Sequence, residues 1–146
     1  MQHQIDRARR GLGQLVVACV DVDGLKETND SKGQEAGDAT LKHVVDVLRE
    51  HLRSYEPIVR LGGEEFACAM SATTIENVRS RFDEISTELA DGADRISISV
   101  GVAALMPGDT PMDLINRADT SLLRTRRQKR LPAGLERDWP GRGAGG

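Results

Sequence analysis

The sequence contains little of what marks secreted, membrane-spanning or nucleic-acid-binding proteins. Its two cysteines form no CxxC motif, so no disulfide framework is indicated, and we interpret both as small buried hydrophobic residues in a reducing cytoplasm. No apolar run approaches the length of a membrane span, and residues 1–6 lack the charged-then-apolar order of a secretory signal. The formal charge is only −3, so the chain has no global basic field of the kind that nucleic-acid binding usually needs. These absences predict a cytoplasmic protein that has no membrane segment and binds no nucleic acid.

The length and the composition predict one domain followed by a tail. A chain of 146 residues can bury one hydrophobic core but is too short for two ordinary domains. Residues 131–146 are rich in Pro, Gly and Arg, which is typical of a flexible tail. We therefore expect a folded domain over residues 1–130.

Hydrophobic periodicity predicts four strands and three helices. Leu15–Val22 is a continuous β-rich run, as expected of a central strand that is buried on both faces. An apolar helical stripe begins near Asp38 and predicts a helix that ends before Pro57. The other predicted elements are a hairpin over residues 58–60 and 66–70, a helix over 74–89, a strand over 95–105 and a helix over 110–130 capped by Thr110. This order predicts an α+β fold with a ferredoxin-like split-βαβ core, a central antiparallel sheet packed by helices and an extra C-terminal helix.

Two aspartates, Asp21 and Asp23, stand at the end of the predicted central strand. Side chains at i and i+2 point to the same side of a strand, so both carboxylates can face one pocket. Two such acids repel one another and are costly to desolvate unless a cation lies between them, and Mg²⁺ is usually held by one or two carboxylates together with substrate phosphates. The alternative is a strand that ends in a solvated Asp-Val-Asp-Gly turn, and this motif alone does not decide between the two.

Gly62 and Gly63 form the tip of the predicted hairpin and are followed by Glu64 and Glu65. Two glycines suit positive φ angles and allow another backbone or a phosphate to approach closely. By itself such a tip is more often an exposed, charged turn than an active site. In a split-βαβ core, however, the first strand lies beside the hairpin, so Asp21 and the glutamates can converge on one metal, as two-metal phosphoryl transfer requires.

Several motifs occur in a fixed order along the chain. They are DVDGLKETND at residues 21–30, glycines at 33 and 37, Asp38, RLGGEEF at 60–66, SISVG at 97–101 and Ala-Asp at 118–119. Over roughly residues 15–130 this ordered set resembles the GGDEF (diguanylate cyclase) family, which has a palm-like nucleotidyl cyclase fold. Members of that family join two GTP molecules into cyclic di-GMP with release of pyrophosphate.

The resemblance implies a metal site and a catalytic base. Asp21 and the Val22 carbonyl would hold Mg²⁺ or Mn²⁺, and Glu64 and Glu65 would complete the site. Glu64 would also help to deprotonate the attacking ribose 3′-hydroxyl. The implied catalytic residues are thus Asp21, Glu64 and Glu65.

The resemblance also implies contacts with the nucleotide. Asn29 and Asp38 would read the guanine edge, since an acceptor-only carboxylate suits the N1–H and N2–H₂ donors of guanine but not the N1 acceptor of adenine. Lys26 would contact the triphosphate, and Gly62 and Gly63 would let the phosphates approach the hairpin.

Arg126 and Arg130 stand where the family carries two cations for the γ-phosphate. They lie at i and i+4 of the last predicted helix and therefore share a face. The alternative is a solvated basic helix end that complements the helix dipole. We favour this alternative for the two residues alone, because Arg127 and Lys129 make the whole stretch basic.

Two of the sequence's departures from the family concern its N-terminal segment and its regulation. The DxLTGLxNR-like segment that usually opens the domain is not found, so we expect an N-terminally shortened member. Many members carry an RxxD inhibitory site for their own product, and the aligned residues here are Arg53 and Glu56. Both retain groups that can bind a nucleotide, but an ordinary i, i+3 pair at a helix end is the preferred interpretation.

The predicted function is that of a metal-dependent diguanylate cyclase. Each domain would bind one GTP, and catalysis would need a homodimer in which each 3′-oxygen attacks the other's α-phosphate, normally driven by a sensory or regulatory domain outside this chain. The alternative is a degenerate domain that binds GTP or cyclic di-GMP without catalysis. A third possibility, a cyclase for mixed or adenine dinucleotides, is disfavoured by Asp38.

Overall fold

The computed structural model describes residues 14–130, without the side chain of Arg130. The elements in these residues are β1 (Leu15–Val22), α1 (Leu25–Lys32), α2 (Gln34–His51), β2 (Ile58–Arg60), β3 (Glu65–Ser71), α3 (Ile75–Asp91), β4 (Ile98–Ala104) and α4 (Pro111–Arg130). The predicted tail at residues 131–146 lies outside the described residues, as do residues 1–13.

The sheet has the strand order β2-β3-β1-β4, and every neighbouring pair of strands is antiparallel. This is the order of a split-βαβ core, in which β3 and β4 lie on either side of the first strand. It confirms the predicted α+β fold. All eight residues of β1 are buried, since the strand has neighbours on both edges and helices on both faces.

The helices form a layer on each face of the sheet, and the alternation of side chains along β1 separates the two layers. One core cluster contains the even-numbered residues 16–22 of β1 with apolar residues of α2 and α3. The other contains the odd-numbered residues 15–19 with Leu114, Ala118 and Leu122 of α4. Asp21 is the next odd-numbered residue, so its side chain continues on the face that α4 covers.

The position of α4 is fixed by a close approach to β4. A Cβ atom on Gly101 would overlap backbone atoms of Ala118 and Leu122, so only glycine lets the strand and the helix come this near. Thr110 caps the helix in the predicted way: its Oγ1 accepts from the Asp113 N–H (3.1 Å), and Asp113 Oδ2 accepts from the Thr110 N–H (3.0 Å). The C-terminal half of α4 is thereby held over the end of β1.

One helix was not predicted. Residues 25–32 form α1, of which only Leu25 is buried, so no apolar periodicity marks it in the sequence. Gly33, with a φ of 93°, separates α1 from α2, which begins at Gln34 rather than near Asp38. The last strand begins at Ile98 rather than at residue 95.

The sequence predicts buried cysteines without a disulfide and no membrane segment, and the described residues can be compared with both expectations. Cys19 and Cys68 are buried free thiols, in agreement with their interpretation as small hydrophobic residues. Burial raises the pKa of both thiols to about 12. Within residues 14–130, no helix has both the length and the apolar character that crossing a membrane requires.

Candidate functional site at the end of the central strand

A cavity of about 570 Å³ opens where β1 ends. Its walls come from the end of β1, the start of α1, the β2–β3 hairpin, the start of β4 and the last turns of α4. The lining residues are Val22, Asp23, Gly24, Leu25, Lys26, Glu27, Glu64, Ser97, Ser99, Arg126 and Lys129. Three of them are residues that the sequence predicted for phosphate or metal binding by their side chains: Lys26, Glu64 and Arg126.

Asp21 is a buried acid beside this cavity. Its residue is 3% exposed, and its Oδ2 atom lies 2.7 Å from Nη1 of Arg126. The other oxygen, Oδ1, is buried and has no hydrogen-bond partner. Burial raises the pKa of Asp21 to about 6; Arg126 opposes this shift, and the charges of Glu64 and Asp23 add to it. Of the two alternatives that the sequence left open, the solvated turn therefore does not describe Asp21.

Glu65 is the second acid near the end of β1, and its side chain is half-buried. It is the cross-strand partner of Asp21 in the β1–β3 register, and directly opposite residues of a sheet point to the same face. Burial raises the pKa of Glu65 to about 7, and contact with the Asp119 carboxyl and the charge of Asp21 contribute to that rise. Its Oε2 atom is also buried without a partner. Glu64 is half-buried and lines the cavity, while its backbone oxygen accepts from the Val22 N–H at 3.2 Å.

The two acids fit a divalent cation. Each has a buried oxygen without a partner, and each has a pKa raised by burial and by acidic neighbours, which is the environment that a bound cation would relieve. Carboxylate oxygens are the ligands that Mg²⁺ prefers. Among residues 14–130, no three His, Cys, Asp or Glu side chains form a ready-made metal cluster. A cation here would therefore need backbone or ligand oxygens in addition to the acids.

Asp23 has a different environment from Asp21. Its Oδ1 accepts from the Ser99 hydroxyl (2.9 Å), and its Oδ2 accepts from the Ser97 hydroxyl (2.8 Å) and the Lys129 ammonium (2.8 Å). Burial alone would raise its pKa, but the hydrogen bonds from Lys129 and the two serines outweigh burial and lower the pKa of Asp23 below its usual value. The two aspartates face one side of the strand, as predicted, but only Asp21 retains an unpartnered oxygen.

The residues predicted to read a guanine lie on α1 and α2, outside the set that lines the cavity. The Asn29 side chain packs against Gly37, where a Cβ atom would overlap the Asn29 amide. The buried Oδ1 of Asn29 has no partner. Asp38, the residue after Gly37, is exposed and accepts a 3.4 Å hydrogen bond from Nε2 of Gln34. The structure thus brings Asn29 next to the turn of α2 that carries Asp38.

The hairpin tip is exposed and is held by Arg60. Its Nε donates to the Gly62 oxygen (3.1 Å) and its Nη2 to the Gly63 oxygen (2.6 Å). The predicted positive φ is wrong for both glycines; among the described residues, the glycines with positive φ are at positions 24, 33 and 108. A Cβ atom at either tip glycine would meet no atom within 4 Å. Packing within the chain therefore does not require glycine at either position, and the absence of side chains leaves open space at the hairpin tip.

Arg53 and Glu56 do not form a shared ligand site in this arrangement. Glu56 is 1% exposed, and its Oε1 accepts from the Arg53 backbone N–H (2.7 Å) and from Nη1 of Arg81 (2.8 Å). The guanidinium of Arg53 is exposed, with Nη1 3.3 Å from the Tyr55 hydroxyl. The two residues thus contact one another at i, i+3 at this helix end, through the Arg53 backbone N–H and the Glu56 carboxylate.

Sequence reasoning assigned no role to Lys129 or Asp119. Both lie on α4, Lys129 paired with Asp23 and Asp119 against Glu65. Their spacing from Arg126, three and seven residues, places them near its side of the helix, and this was the available signal. The side chain of Arg130 lies outside the described part of the chain.

An antiparallel split-βαβ sheet with acids converging at the end of its first strand is the arrangement of a nucleotidyl cyclase domain. The family model described as "Diguanylate cyclase, GGDEF domain" matches residues 1–131. The chain therefore belongs to the GGDEF family.

Relatives and solved structures agree with this assignment. The chain is 32% identical to the diguanylate cyclase DgcP of Pseudomonas aeruginosa over 137 residues, covering 89% of the chain and 20% of DgcP. It is 33% identical to the diguanylate cyclase DosC of Escherichia coli over 138 residues, covering 88% of the chain and 30% of DosC. It thus spans less than a third of the length of these relatives.

Two crystal structures illustrate the likeness in three dimensions. The diguanylate cyclase SiaD of Pseudomonas aeruginosa, in complex with its activator SiaC, matches with a TM-score of 0.80 and 29% identity, over 86% of this chain and 51% of that one. The GGDEF domain of DgcB from Caulobacter crescentus, in complex with c-di-GMP, matches with a TM-score of 0.79 and 26% identity, over 86% and 79%.

Proposed function

We propose that this chain condenses two GTP molecules into cyclic di-GMP and releases pyrophosphate. The observation that carries the proposal is a pair of acids, the buried Asp21 and the half-buried Glu65, each with one buried, unpartnered oxygen beside a cavity that cationic side chains also line. Buried carboxylate oxygens without a partner are costly unless a cation is present, and phosphoryl transfer depends on cations and positioning. The named diguanylate cyclases among its relatives support the same reaction.

The metal ligands in this proposal are Asp21, the Val22 carbonyl, Glu64 and Glu65. A bound Mg²⁺ or Mn²⁺ would neutralise charge on the triphosphate and polarise the reacting phosphate. Glu64 lines the cavity and accepts the proton from the attacking 3′-hydroxyl.

Lys26, Arg126 and Arg130 hold the triphosphate in this proposal. Lys26 and Arg126 support it by lining the same cavity as Glu64. Arg126 faces Asp21 at 2.7 Å, and it exchanges this carboxylate for a phosphate when the nucleotide enters. Gly62 and Gly63 leave room for phosphate oxygens at the hairpin because no side chain stands there.

Asn29 and Asp38 select guanine. Asn29 packs beside the turn of α2 that carries Asp38, and the exposed carboxylate of Asp38 accepts from N1–H and N2–H₂. Adenine would leave an acceptor facing that carboxylate, which disfavours ATP.

Catalysis requires two chains related by a two-fold axis, each carrying one GTP. The 3′-oxygen on one chain attacks the α-phosphate on the other, so the reaction needs a homodimer. A sensory or regulatory domain outside this chain controls the dimer; the greater length of DgcP and DosC supports this. The buried free thiols and the need for GTP support a cytoplasmic location.

The proposal is tested by incubating the concentrated protein with GTP and Mg²⁺ and separating the products by chromatography. Cyclic di-GMP is expected from the wild type and from Glu84→Gln, which alters an exposed glutamate on α3. Glu64→Ala is expected to lose the product, and ATP is expected to give none. If Glu64→Ala is as active as the wild type, the site assignment is wrong. If GTP binds but no product forms at any protein concentration, the chain is a nucleotide-binding module instead.

A further inference from the structure

The last turns of α4 place two cationic side chains beside the end of β1. Arg126 pairs with Asp21 (2.7 Å) and Lys129, one turn later, pairs with Asp23 (2.8 Å). The first pair belongs to the proposed metal and triphosphate site. The second pair has no part in that site, although Lys129 lines the same cavity.

The ammonium of Lys129 is occupied by protein atoms. Its Nζ donates to Oδ2 of Asp23 (2.8 Å) and to the Ile98 oxygen (2.6 Å), and the Ser97 hydroxyl lies 3.5 Å away. An ammonium has three donors, so these contacts leave it little capacity for a ligand. Lys129 therefore ties α4 both to the residue after β1 and to the first residue of β4.

Asp23 is itself fixed without help from Lys129. Both serine hydroxyls donate to its carboxylate, and its backbone N–H donates to the Ser97 oxygen at 2.9 Å. The carboxylate is thus fixed at the start of β4. Lys129, in contrast, is the penultimate residue of α4. The end of a helix frays when nothing holds it, because its last carbonyl groups lack partners within the helix.

We propose that Lys129 is a positioning residue for the triphosphate. By tying the end of α4 to Asp23 and Ile98, it sets where the guanidinium of Arg126 lies at the cavity, and it does so without contacting the nucleotide. This inference rests on the proposed function, because Arg126 is the group through which Lys129 acts.

The test compares Asp23→Asn, Lys129→Met and the double variant. The ligands are 3′-deoxy-GTP, which binds with a full triphosphate but lacks the attacking hydroxyl, and GMP, which lacks the β- and γ-phosphates. Each single variant is expected to bind 3′-deoxy-GTP about tenfold more weakly, as for the loss of one charge-assisted contact, and GMP within about twofold. The double variant is expected to be no weaker than either single one, because the two residues act as a unit.

The Asp23→Asn result separates a positioning role from direct phosphate binding. If Lys129 contacts the triphosphate itself, Asp23→Asn frees its ammonium, and binding of 3′-deoxy-GTP stays equal or becomes tighter. That result would overturn the proposal. A matched control is Lys42→Met, which breaks an exposed ion pair with Asp46 on α2 and is expected to change neither ligand's affinity.

Amide hydrogen exchange of residues 124–130 tests the inference without any nucleotide. Lys129→Met and Asp23→Asn are expected to speed exchange in this segment, while the melting temperature changes little because the ion pair is half-exposed. Unchanged exchange overturns the positioning role, as does faster exchange with unchanged affinity for 3′-deoxy-GTP. A wild type that binds no GTP refutes the proposed function instead, and the exchange data then still decide whether Lys129 orders α4.

Discussion

The buried carboxyl of Asp21 lowers the free energy of unfolding of the metal-free protein, and the substitution Asp21→Asn tests this. The pKa of Asp21 rises from 3.8 to about 6 in the folded state. A rise of about 2 units means that the raised pKa of Asp21 costs about 3 kcal/mol of folding free energy at pH 7.5, where the carboxyl is ionised in both states. At pH 4.5, where the folded state keeps it mostly protonated, the cost is about 1 kcal/mol. The sign follows from proton binding: between these pH values the folded state holds the proton more tightly than the unfolded state, so stability is lost as the pH rises through 6.

Asp21→Asn removes this pH-dependent cost. In urea denaturation with EDTA, the free energy of unfolding of the variant minus that of the wild type is expected to increase by about 2 kcal/mol between pH 4.5 and pH 7.5. The comparison between two pH values cancels any constant effect of the amide on packing or on Arg126. Asp83→Asn, at an exposed position of α3, serves as the control and should show no such increase. A difference that is the same at both pH values would refute the argument that burial strains Asp21.

Three further substitutions test the packing around the site. Gly101→Ala should lower the free energy of unfolding by about 1–3 kcal/mol, measured in urea, since its Cβ would overlap the backbone of α4. Gly37→Ala should displace the Asn29 side chain and weaken GTP binding more than binding of inorganic triphosphate, measured by calorimetry. Glu56→Gln should lower stability by about 1–3 kcal/mol, because Arg81 loses its buried carboxylate partner, and should leave any inhibition by cyclic di-GMP unchanged. A free energy of unfolding equal to that of the wild type would contradict the expectation for Gly101→Ala or Glu56→Gln. For Gly37→Ala, an equal loss of affinity for GTP and for inorganic triphosphate would contradict it.

The parts of the fold that could be predicted are those with strong local signals. The eight buried residues of β1, the hairpin around the two glycines and the capped start of α4 each follow from an apolar run, a turn or a capping box. Helix α1 could not be predicted in this way because seven of its eight residues are polar or exposed and only Leu25 packs inward.

The site was predictable in its residue types but not in its pairing. Spacing along the strand indicates that Asp21 and Asp23 share a face. It does not reveal that Ser97, just before β4, and Ser99, within β4, both donate hydrogen bonds to Asp23, while one oxygen of Asp21 has no partner. This difference in hydrogen bonding between the two aspartates depends on the register of β1 with β4 and on the close approach of α4. Both involve residues that are far apart in the sequence. For the same reason, the basic stretch at the end of α4 does not show from sequence that its cations face acids rather than solvent.

Measuring cyclic di-GMP and pyrophosphate together over a range of protein concentrations decides whether two chains condense two GTP molecules. Condensation by a homodimer is expected to give two pyrophosphates for each cyclic di-GMP and a rate per chain that rises with protein concentration, since two chains must meet. Pyrophosphate or phosphate release without cyclic di-GMP, or a rate per chain that does not change on dilution of a monomeric protein, would contradict it.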